Sequence, residues 1–416
     1  LSILQQHVHD NDNKIYEIDL NVSDHNYYYY DNDFFCFCSL VYASVFHFPS
    51  CFESVHCISQ KTTTRISKAN MIILKDSEVR EILENLTADE IKAYQETLAE
   101  GLVEYCQDNA IIPPRIVTTT KYATHLFMGS SGSKVGMKAL TGSHSGFHGL
   151  TTILDIHDGS PIGILNAATL TAFRTALSTT LALGKVYIPG DIKSLIGGNL
   201  IVYGAGPQAE WHLRLALTLY PSSFDKVIII NRTTRKADAL GNILKSKFPH
   251  ISFETVAMGD RIRIMNEYKN ASVIFSCVPT CSPVILNDNI DHNERSKLFI
   301  GAIGSYKPEM IEVDGETLVK QCISKGGKII VDSIKDCIKE AGEFLQNDIS
   351  KESLVELGSL FIQPAPETTL TQLNYMKSNK VIVSKLVGLC IMDVFVGSKV
   401  LYEAERKNIG TTIDNF

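Results

Sequence analysis

Apolar and polar positions change period along this chain, and the changes mark its elements. Between about residues 195 and 365, short and nearly continuous apolar runs alternate with helix-period segments. The runs Leu200–Tyr203, Val227–Ile230, Val273–Cys277, Leu298–Gly301 and Lys328–Val331 suit strands buried on both faces. Such alternation predicts a parallel sheet with crossovers. Upstream, Ile72-Ile73-Leu74 predicts a short strand, and Asp76-Ser77-Glu78 opens a helix with Val79, Ile82 and Leu83 on one face. Thr87 with Glu90 is a capping box for a helix reaching about Cys106. Pro113-Pro114 break the chain. Strands are expected at Arg115–Thr120, His125–Met128, Val135–Leu140, Thr151–Asp155 and Ile162–Asn166, with loops between them. The helix predicted from about Ala168 to Val186 carries small residues (Ala172, Ala176, Ala182) that allow close packing. Beyond Pro364-Ala365-Pro366 another unit is expected, with a strand at Val381–Val383 and a helix from about Gly388 to Arg406.

The richest stretch is the turn after the first of the buried runs, Gly204-Ala205-Gly206-Pro207-Gln208-Ala209. With a strand before it, a helix after it and a second strand beyond, it matches the dinucleotide fingerprint G-x-G-x-x-A. Gly204 permits the turn, Gly206 lets backbone approach a pyrophosphate, and Ala209 lets the helix pack close to the strand. The helix N-terminus then faces the phosphates. The second strand ends in Asn231-Arg232-Thr233, with Arg235 and Lys236 behind, where NAD-binding chains usually place Asp or Glu. Arg232 would attract a 2′-phosphate, and the Asn231 amide and Thr233 hydroxyl would donate to it. NADP(H) is therefore expected over NAD(H). The competing reading is a solvated basic loop.

At 416 residues the chain has room for two domains and extras. Its 44% hydrophobic and 20% charged content is that of a globular protein, and a net charge of −7 gives nucleic acid no footing. No run approaches the ~20 apolar residues that span a bilayer. The ten cysteines are scattered, in neither zinc nor redox spacing, as for reduced thiols in the cytoplasm. His144 and His148, four apart, have no acidic pair nearby and are not expected to bind metal.

Residues 1–70 stand apart. They hold none of the 27 glycines and none of the 8 methionines, but five of the 12 histidines. Their aspartates argue against a mitochondrial transit peptide. The expectation is a disordered extension or a mis-called leader, with translation starting at Met71.

Further blocks extend the pattern on both sides of the turn: Pro114-Arg115, Gly136-Met137-Lys138, Asp158-Gly159-x-Pro161, Leu170-Thr171-Ala172-x-Arg174-Thr175-Ala176, Gly301-Ala302-x-Gly304, Val331-Asp332-Ser333, Glu340-Ala341-Gly342-Glu343 and Ser384-Lys385-x-x-Gly388-Leu389-x-x-x-Asp393. In this order they resemble the ornithine cyclodeaminase and mu-crystallin family over Met71–Arg406. The resemblance implies an α/β fold with two parts. A Rossmann-like doubly wound cofactor domain (188–365) is joined to an α+β substrate-binding and dimerisation domain built from both ends of the chain (71–187 and 366–416). It further implies a homodimer and a small imino- or amino-acid substrate.

By the same resemblance, Arg115, Lys138 and Arg174 match the family's carboxylate-binding cations; a lysine near the reacting carbon, as Lys138 would be, could also shuttle a proton if desolvation lowers its pKa toward neutral. From the residues alone, cations in apolar surroundings must be paired or liganded, so structural ion pairs with an unseen Asp or Glu stay open. The chain departs from cyclodeaminases at Cys277-Val278-Pro279-Thr280-Cys281: Thr280 stands where they carry a catalytic aspartate. A threonine hydroxyl is no base at neutral pH. The expectation is an NAD(P)H-dependent reductase of a small cyclic ketimine or imino acid, reversible as an amino-acid dehydrogenase. The alternatives are an ornithine cyclodeaminase and a non-catalytic NADP(H)-dependent binding protein.

Overall fold

Two hydrophobic patterns give two kinds of sheet. The computed structural model describes residues 16–17, 28–29, 70–144, 146–188, 197–414 and 416. The chain divides into compact units at residues 1–63 and 64–416. In the first unit, β1 (Tyr16–Glu17) and β2 (Tyr28–Tyr29) pair antiparallel, with Tyr16 opposite Tyr29. Apart from these four residues and Asn70, the segment expected to be an extension or mis-called leader lies outside the described residues.

The second unit opens with β3 (Asn70–Leu74), α1 (Asp76–Leu83) and α2 (Ala88–Gln107). The capping box forms as expected: Thr87 Oγ1 accepts from the Glu90 amide at 3.3 Å, and Glu90 accepts from the Thr87 amide at 2.8 Å. The strands β4 (Ile116–Thr119), β5 (Ala123–Ser131), β6 (Val135–Ser143), β7 (Gly146–Leu154) and β8 (Pro161–Asn166) lead into α3 (Ala167–Leu183). Asp76 caps this later helix, accepting from the Thr169 amide at 2.8 Å. The strands expected at His125–Met128 and Val135–Leu140 form and run longer than expected, as β5 and β6, and β7 begins at Gly146, ahead of the expected Thr151. β6 and β7 form a long hairpin in which Val135 faces Leu154 and Ser143 faces Gly146. Its far end lacks apolar alternation because one sheet face is open there, and His125, Thr141 and His148 line up on it.

The parallel half alternates β9 (Asn199–Tyr203), α4 (Pro207–Leu219), β10 (Lys226–Asn231), α5 (Thr234–Lys247), β11 (Ser252–Ala257), α6 (Arg261–Tyr268) and β12 (Ala271–Ser276). After α7 (Asn287–Asp291) come β13 (Leu298–Ala302), β14 (Ile329–Val331), α8 (Ile334–Glu340), α9 (Gly342–Leu345) and β15 (Leu354–Glu356). The chain closes with α10 (Glu367–Ser378), β16 (Val381–Lys385), α11 (Cys390–Lys407) and β17 (Thr411–Asp414). Eight strands run parallel in the order β11-β10-β9-β12-β13-β16-β14-β15. Every residue of β9, β12, β13, β14 and β16 is buried, which is why their runs are continuously apolar. The edge strands β11 and β15 are only partly covered, and their mixed sequences hid them.

One expectation needs correction. The chain does not leave the cofactor half at residue 366. β16 lies between β13 and β14, pairing Leu298 with Val381 and Val331 with Lys385. The chain crosses to the other sheet only at α11. That sheet has the order β17-β3-β8-β7-β6-β5-β4, with only β3 and β8 parallel. Helix α11 packs on α2 and α3 and across β5–β7.

The two sheets meet through α3 and α4. Phe173 of α3 sits edge-on between Tyr94 of α2 (5.4 Å) and Trp211 of α4 (5.3 Å). Beside it His212 is fully buried. Its Nδ1 donates to the Gln208 carbonyl at 2.7 Å, so Nε2 accepts from the Thr179 hydroxyl at 2.9 Å. Burial pulls its pKa down from 6.5 to about 4, against a smaller opposing effect of the Gln208 carbonyl. Between those values the unfolded chain binds a proton that the folded chain excludes. Stability contributed by the neutral ring is therefore complete above pH 6.5 and lost as pH falls towards about 4. The shift corresponds to roughly 3 kcal/mol. Urea unfolding of Met71–Phe416 from pH 7 to 4 is expected to show this slope, and His212→Gln to flatten it. An unchanged slope in His212→Gln would assign the pH dependence to other groups.

Candidate active site

Gly204 leaves β9 at φ +108°, and a Cβ there would lie 3.0 Å from the Cys277 carbonyl and 3.2 Å from Val278 Cγ1. The position requires glycine for both reasons. Gly206, at the start of α4, has open space where a Cβ would stand. Pro207 occupies the first helical position, where a missing N–H costs nothing, and Ala209 is buried against the sheet. Strand order reverses here, with β10 on one side of β9 and β12 on the other. This is the crevice at which open parallel sheets bind ligands. A clear space over free helix N–H groups fits a dinucleotide pyrophosphate.

At the end of β10, Asn231 Nδ2 donates to the Thr233 carbonyl at 2.9 Å, so one amide N–H is used inside the turn. Arg232, Thr233, Arg235 and Lys236 are exposed. Arg232 has no carboxylate partner among the described residues. Across the crevice, Thr280 closes its own turn: its hydroxyl donates to the Ser282 carbonyl at 2.8 Å and accepts the Ser282 amide at 3.2 Å.

The three cations come from separate parts of the chain and converge on the loop between β16 and α11 and on the first turn of α11. Lys138, on the covered face of β6, donates to Asp393 Oδ1 at 2.8 Å and to Thr171 Oγ1 at 2.7 Å. Arg174 Nε lies 3.3 Å from the same Asp393 oxygen, and its Nη1 is 3.2 Å from Met392 Sδ. Arg115 Nη2 donates to the Gly388 carbonyl at 3.0 Å, and Nη1 lies 3.3 Å from Glu340 Oε2. Gly388 sits at φ +92°, and a Cβ there would come within 3.0 Å of Arg174 Nη2. Lys138, Asp393 and Arg174 are all buried. Burial lowers the Lys138 pKa; Asp393 opposes that and Arg174 adds to it. The carboxylate partners left open by the sequence are thus Asp393 and Glu340.

Two more buried groups hold this loop and its neighbour. Asp332, after β14, accepts the Gly388 amide at 2.6 Å and the Val387 amide at 3.1 Å. Lys385, at the end of β16, donates to the Ser305 carbonyl (2.5 Å) and hydroxyl (2.6 Å), and pairs with Glu312 (3.3 Å) and Glu343 (3.6 Å). Glu312 in turn accepts the Gly304 amide at 2.7 Å and the Ser305 amide at 2.8 Å, fixing the turn after β13. Burial presses the Lys385 pKa down, but Glu343 and Glu312 outweigh it and the pKa is raised. Sequence reasoning assigned none of these carboxylates. The signal that could have found Asp393 is a lone acid in the apolar run Cys390–Val396: a buried acid requires a buried cation.

A cavity of about 190 Å³ opens beside Arg115, against Pro113, Pro114, Met128, Leu389 and α8. Further along the same sheet face, Phe147 of β7 meets Tyr306 of the turn after β13 edge-on, with ring centroids 6.2 Å apart. His144 and His148 are exposed on the same hairpin.

No known family profile matches the chain. An uncharacterized protein of Saccharomyces cerevisiae is 28% identical over 372 residues, 80% of this chain and 97% of that protein. A Delta(1)-pyrroline-2-carboxylate reductase of Bacillus cereus is 24% identical over 360 residues, 83% of this chain and all of the relative. Among solved structures, the Delta(1)-pyrroline-2-carboxylate reductase of Thermococcus litoralis, in complex with NADH and L-proline, superposes with a TM-score of 0.65 at 17% identity, covering 82% of this chain and 100% of that one. A probable ornithine cyclodeaminase from Bordetella pertussis superposes at 0.64 and 19% identity, covering 82% and 99%. Near full-length sequence relatives, the shared two-part α/β fold and the ordered blocks from Arg115 to Asp393 agree: the chain is similar to the ornithine cyclodeaminase and mu-crystallin family in sequence and in fold.

Proposed function

We propose that this chain is a nicotinamide-dependent reductase of a small cyclic imino acid. The observation that carries the reading is the convergence of Arg115, Lys138 and Arg174 on Gly388–Asp393, at the carboxyl ends of the parallel strands. An α-carboxylate needs fixed cations to hold it while chemistry occurs at the adjoining carbon. Arg115 and Arg174 supply guanidinium groups from two directions. Reduction of C=N places a hydride on carbon and a proton on nitrogen. The nicotinamide supplies the hydride when bound, with its pyrophosphate over Gly204–Ala209. Lys138 supplies the proton: its burial brings the ammonium nearer to neutrality than an exposed lysine, as a general acid requires. The same steps reversed make an amino-acid dehydrogenase. Relatives named Delta(1)-pyrroline-2-carboxylate reductase support this substrate class.

Cyclodeamination of ornithine is the less favoured reading. It needs a base beside the side-chain amine, and the Thr280 hydroxyl is uncharged and engaged in its own turn. A purely binding protein is also disfavoured, because a ligand without a carboxylate has no use for three gathered cations. The six described cysteines are free thiols, which suits a reducing cytoplasm.

For the cofactor we favour NADPH over NADH. The Thermococcus litoralis reductase is complexed with NADH, but in this chain Arg232 is exposed at the end of β10, with no carboxylate partner among the described residues, and would attract a ribose 2′-phosphate. Fluorescence titration should show NADPH binding tighter than NADH. Arg232→Ala should cost NADPH about tenfold in affinity, ~1.4 kcal/mol, and leave NADH unchanged. Tighter NADH binding by the parent chain would remove the assignment.

The division of labour is tested with Δ1-pyrroline-2-carboxylate and piperideine-2-carboxylate as substrates. Arg115→Gln is expected to raise KM for the imino acid by at least about tenfold, with NADPH affinity held within about twofold. Ammonia release from ornithine without net cofactor consumption would favour the cyclodeaminase instead.

We also propose a homodimer through the open face of the antiparallel sheet. The register Ile116–Phe127–Ala139–Leu150 sets one row across β4 to β7. Ile116 is 62% exposed, and Phe127, Met137 and Leu150 on the same face are exposed as well. A contiguous apolar patch of this kind marks an interface. A fold relative at TM-score 0.64 is an archaeal alanine dehydrogenase dimer. Sedimentation should report a dimer for the parent chain and a folded monomer for Phe127→Glu with Leu150→Glu. A parent chain that sediments as a monomer would refute the proposal.

A further inference from the structure

We infer that Asp393 is the positioning residue of this site: its Oδ1 holds Lys138 Nζ and Arg174 Nε at one point, and its charge keeps the Lys138 ammonium protonated for delivery to the substrate nitrogen. The inference rests on the reductase reading and deepens it.

The geometry is specific. Lys138 comes from β6, Arg174 from α3 and Asp393 from the first turn of α11, so three elements meet at one carboxylate oxygen. The distances are 2.8 Å to Lys138 and 3.3 Å to Arg174, and all three side chains are buried. Asp393 Oδ2 is also buried and accepts no hydrogen bond among the described residues. An ion pair that served packing alone would satisfy both oxygens. This carboxylate is gripped through one oxygen and leaves half its acceptor capacity open.

The groups facing Lys138 are few. Asp393 opposes its loss of charge, Arg174 favours it, Thr171 accepts a hydrogen bond, and Cys390 lies nearby with its thiol held neutral by burial. Among the described residues, Asp393 is therefore the strong anion beside Lys138. In the reductive direction that proton passes from Nζ to the imine nitrogen while carbon gains the hydride. Lys138 becomes the neutral amine and takes its next proton from solvent. Asp393 remains a carboxylate throughout and touches neither reacting atom. Its second task is steric. By drawing Arg174 Nε to the same oxygen, it fixes the spacing between the carboxylate-binding guanidinium and the acid.

The test is Asp393→Asn, which keeps the shape and removes the charge. Lys138 should then lose its proton at lower pH. The basic limb of the kcat profile for imine reduction should move down by at least about one pH unit. At pH 8, kcat should fall at least about tenfold, with KM for the imino acid within about threefold and NADPH affinity unchanged. Thr171→Val removes the uncharged acceptor and should leave the limb in place. A second readout does not depend on turnover: titration of the Lys138 13Cε resonance, assigned by its disappearance in Lys138→Arg, should show the same downward shift in Asp393→Asn. An unmoved limb and an unmoved titration in Asp393→Asn would overturn the inference, as would an equal shift in Thr171→Val. If the parent chain reduces no cyclic imine, the reductase reading fails, and the Lys138 titration still decides the role of Asp393.

Discussion

A lysine ammonium buried under a helix is among the least favourable objects a fold can contain. Lys138 is held there because Asp393 lies 2.8 Å from it. Removing either partner alone would strand a charge in a medium that solvates it poorly. Replacing the whole cluster by apolar side chains of similar volume would cost little or even stabilise. Packing therefore does not explain the cluster. Lys138 and Arg174 share the Asp393 carboxylate, and Arg174 also acts electrostatically on the buried Asp332 carboxyl. A guanidinium held there, with its fork geometry and out of water, suits an incoming carboxylate.

The rest of the molecule holds this charge cluster in register. Helix α3 carries Thr171 and Arg174 on one side and presents Thr179 to His212 of α4 on another. Phe173, between Tyr94 and Trp211, locks the same helix to α2 and α4. Moving α3 thus moves Arg174 and the helix that starts at the glycine turn together. On the far side, Asp332 grips the Gly388 backbone, and the Lys385–Glu312–Glu343 cluster fixes the turn after β13. The buried polar contacts at this junction are each directional. The result is a crevice whose walls are set by angles as well as by packing.

Much of this was legible from the chain. The buried parallel strands declare themselves because both faces are covered and their runs are almost wholly apolar. The glycine turn declares itself because Gly204 must take a positive φ against the Cys277 carbonyl. The cations Arg115, Lys138 and Arg174 could be named, but not their partners. Asp393 is 255 positions from Lys138 in sequence, and no local pattern links them. Only the near end of the β6–β7 hairpin was legible, at Val135–Leu140 and Thr151–Leu154; its far end was hidden by its open face, where Thr141 and His148 break the apolar alternation. Edge strands β11 and β15 were hidden for the same reason. Legibility followed burial: residues whose environment is one-sided or set by a distant charge carry the weakest local signal.

The position of β16 ties these points together. Its run Val381–Val383 looks like the start of a separate unit, yet it completes the parallel sheet, and only then does the chain cross to the antiparallel side as α11. The crossing is four residues long, Leu386–Leu389, with Lys385 before it and Asp393 one helical turn beyond. A connection so short between two sheets must run through their interface, which is where ligand sites concentrate. Its first amide, Leu386, still pairs with the Ala302 carbonyl of β13 at 3.1 Å; beyond it side chains take over: Asp332 takes the amides of Val387 and Gly388, and Arg115 takes the Gly388 carbonyl. Glycine at 388 follows from the same constraint, since the sharp turn demands φ +92° and Arg174 occupies the space a side chain would need. One short crossing thus sets where the cations gather, which carboxylates they meet and why the loop between them has no room for a side chain.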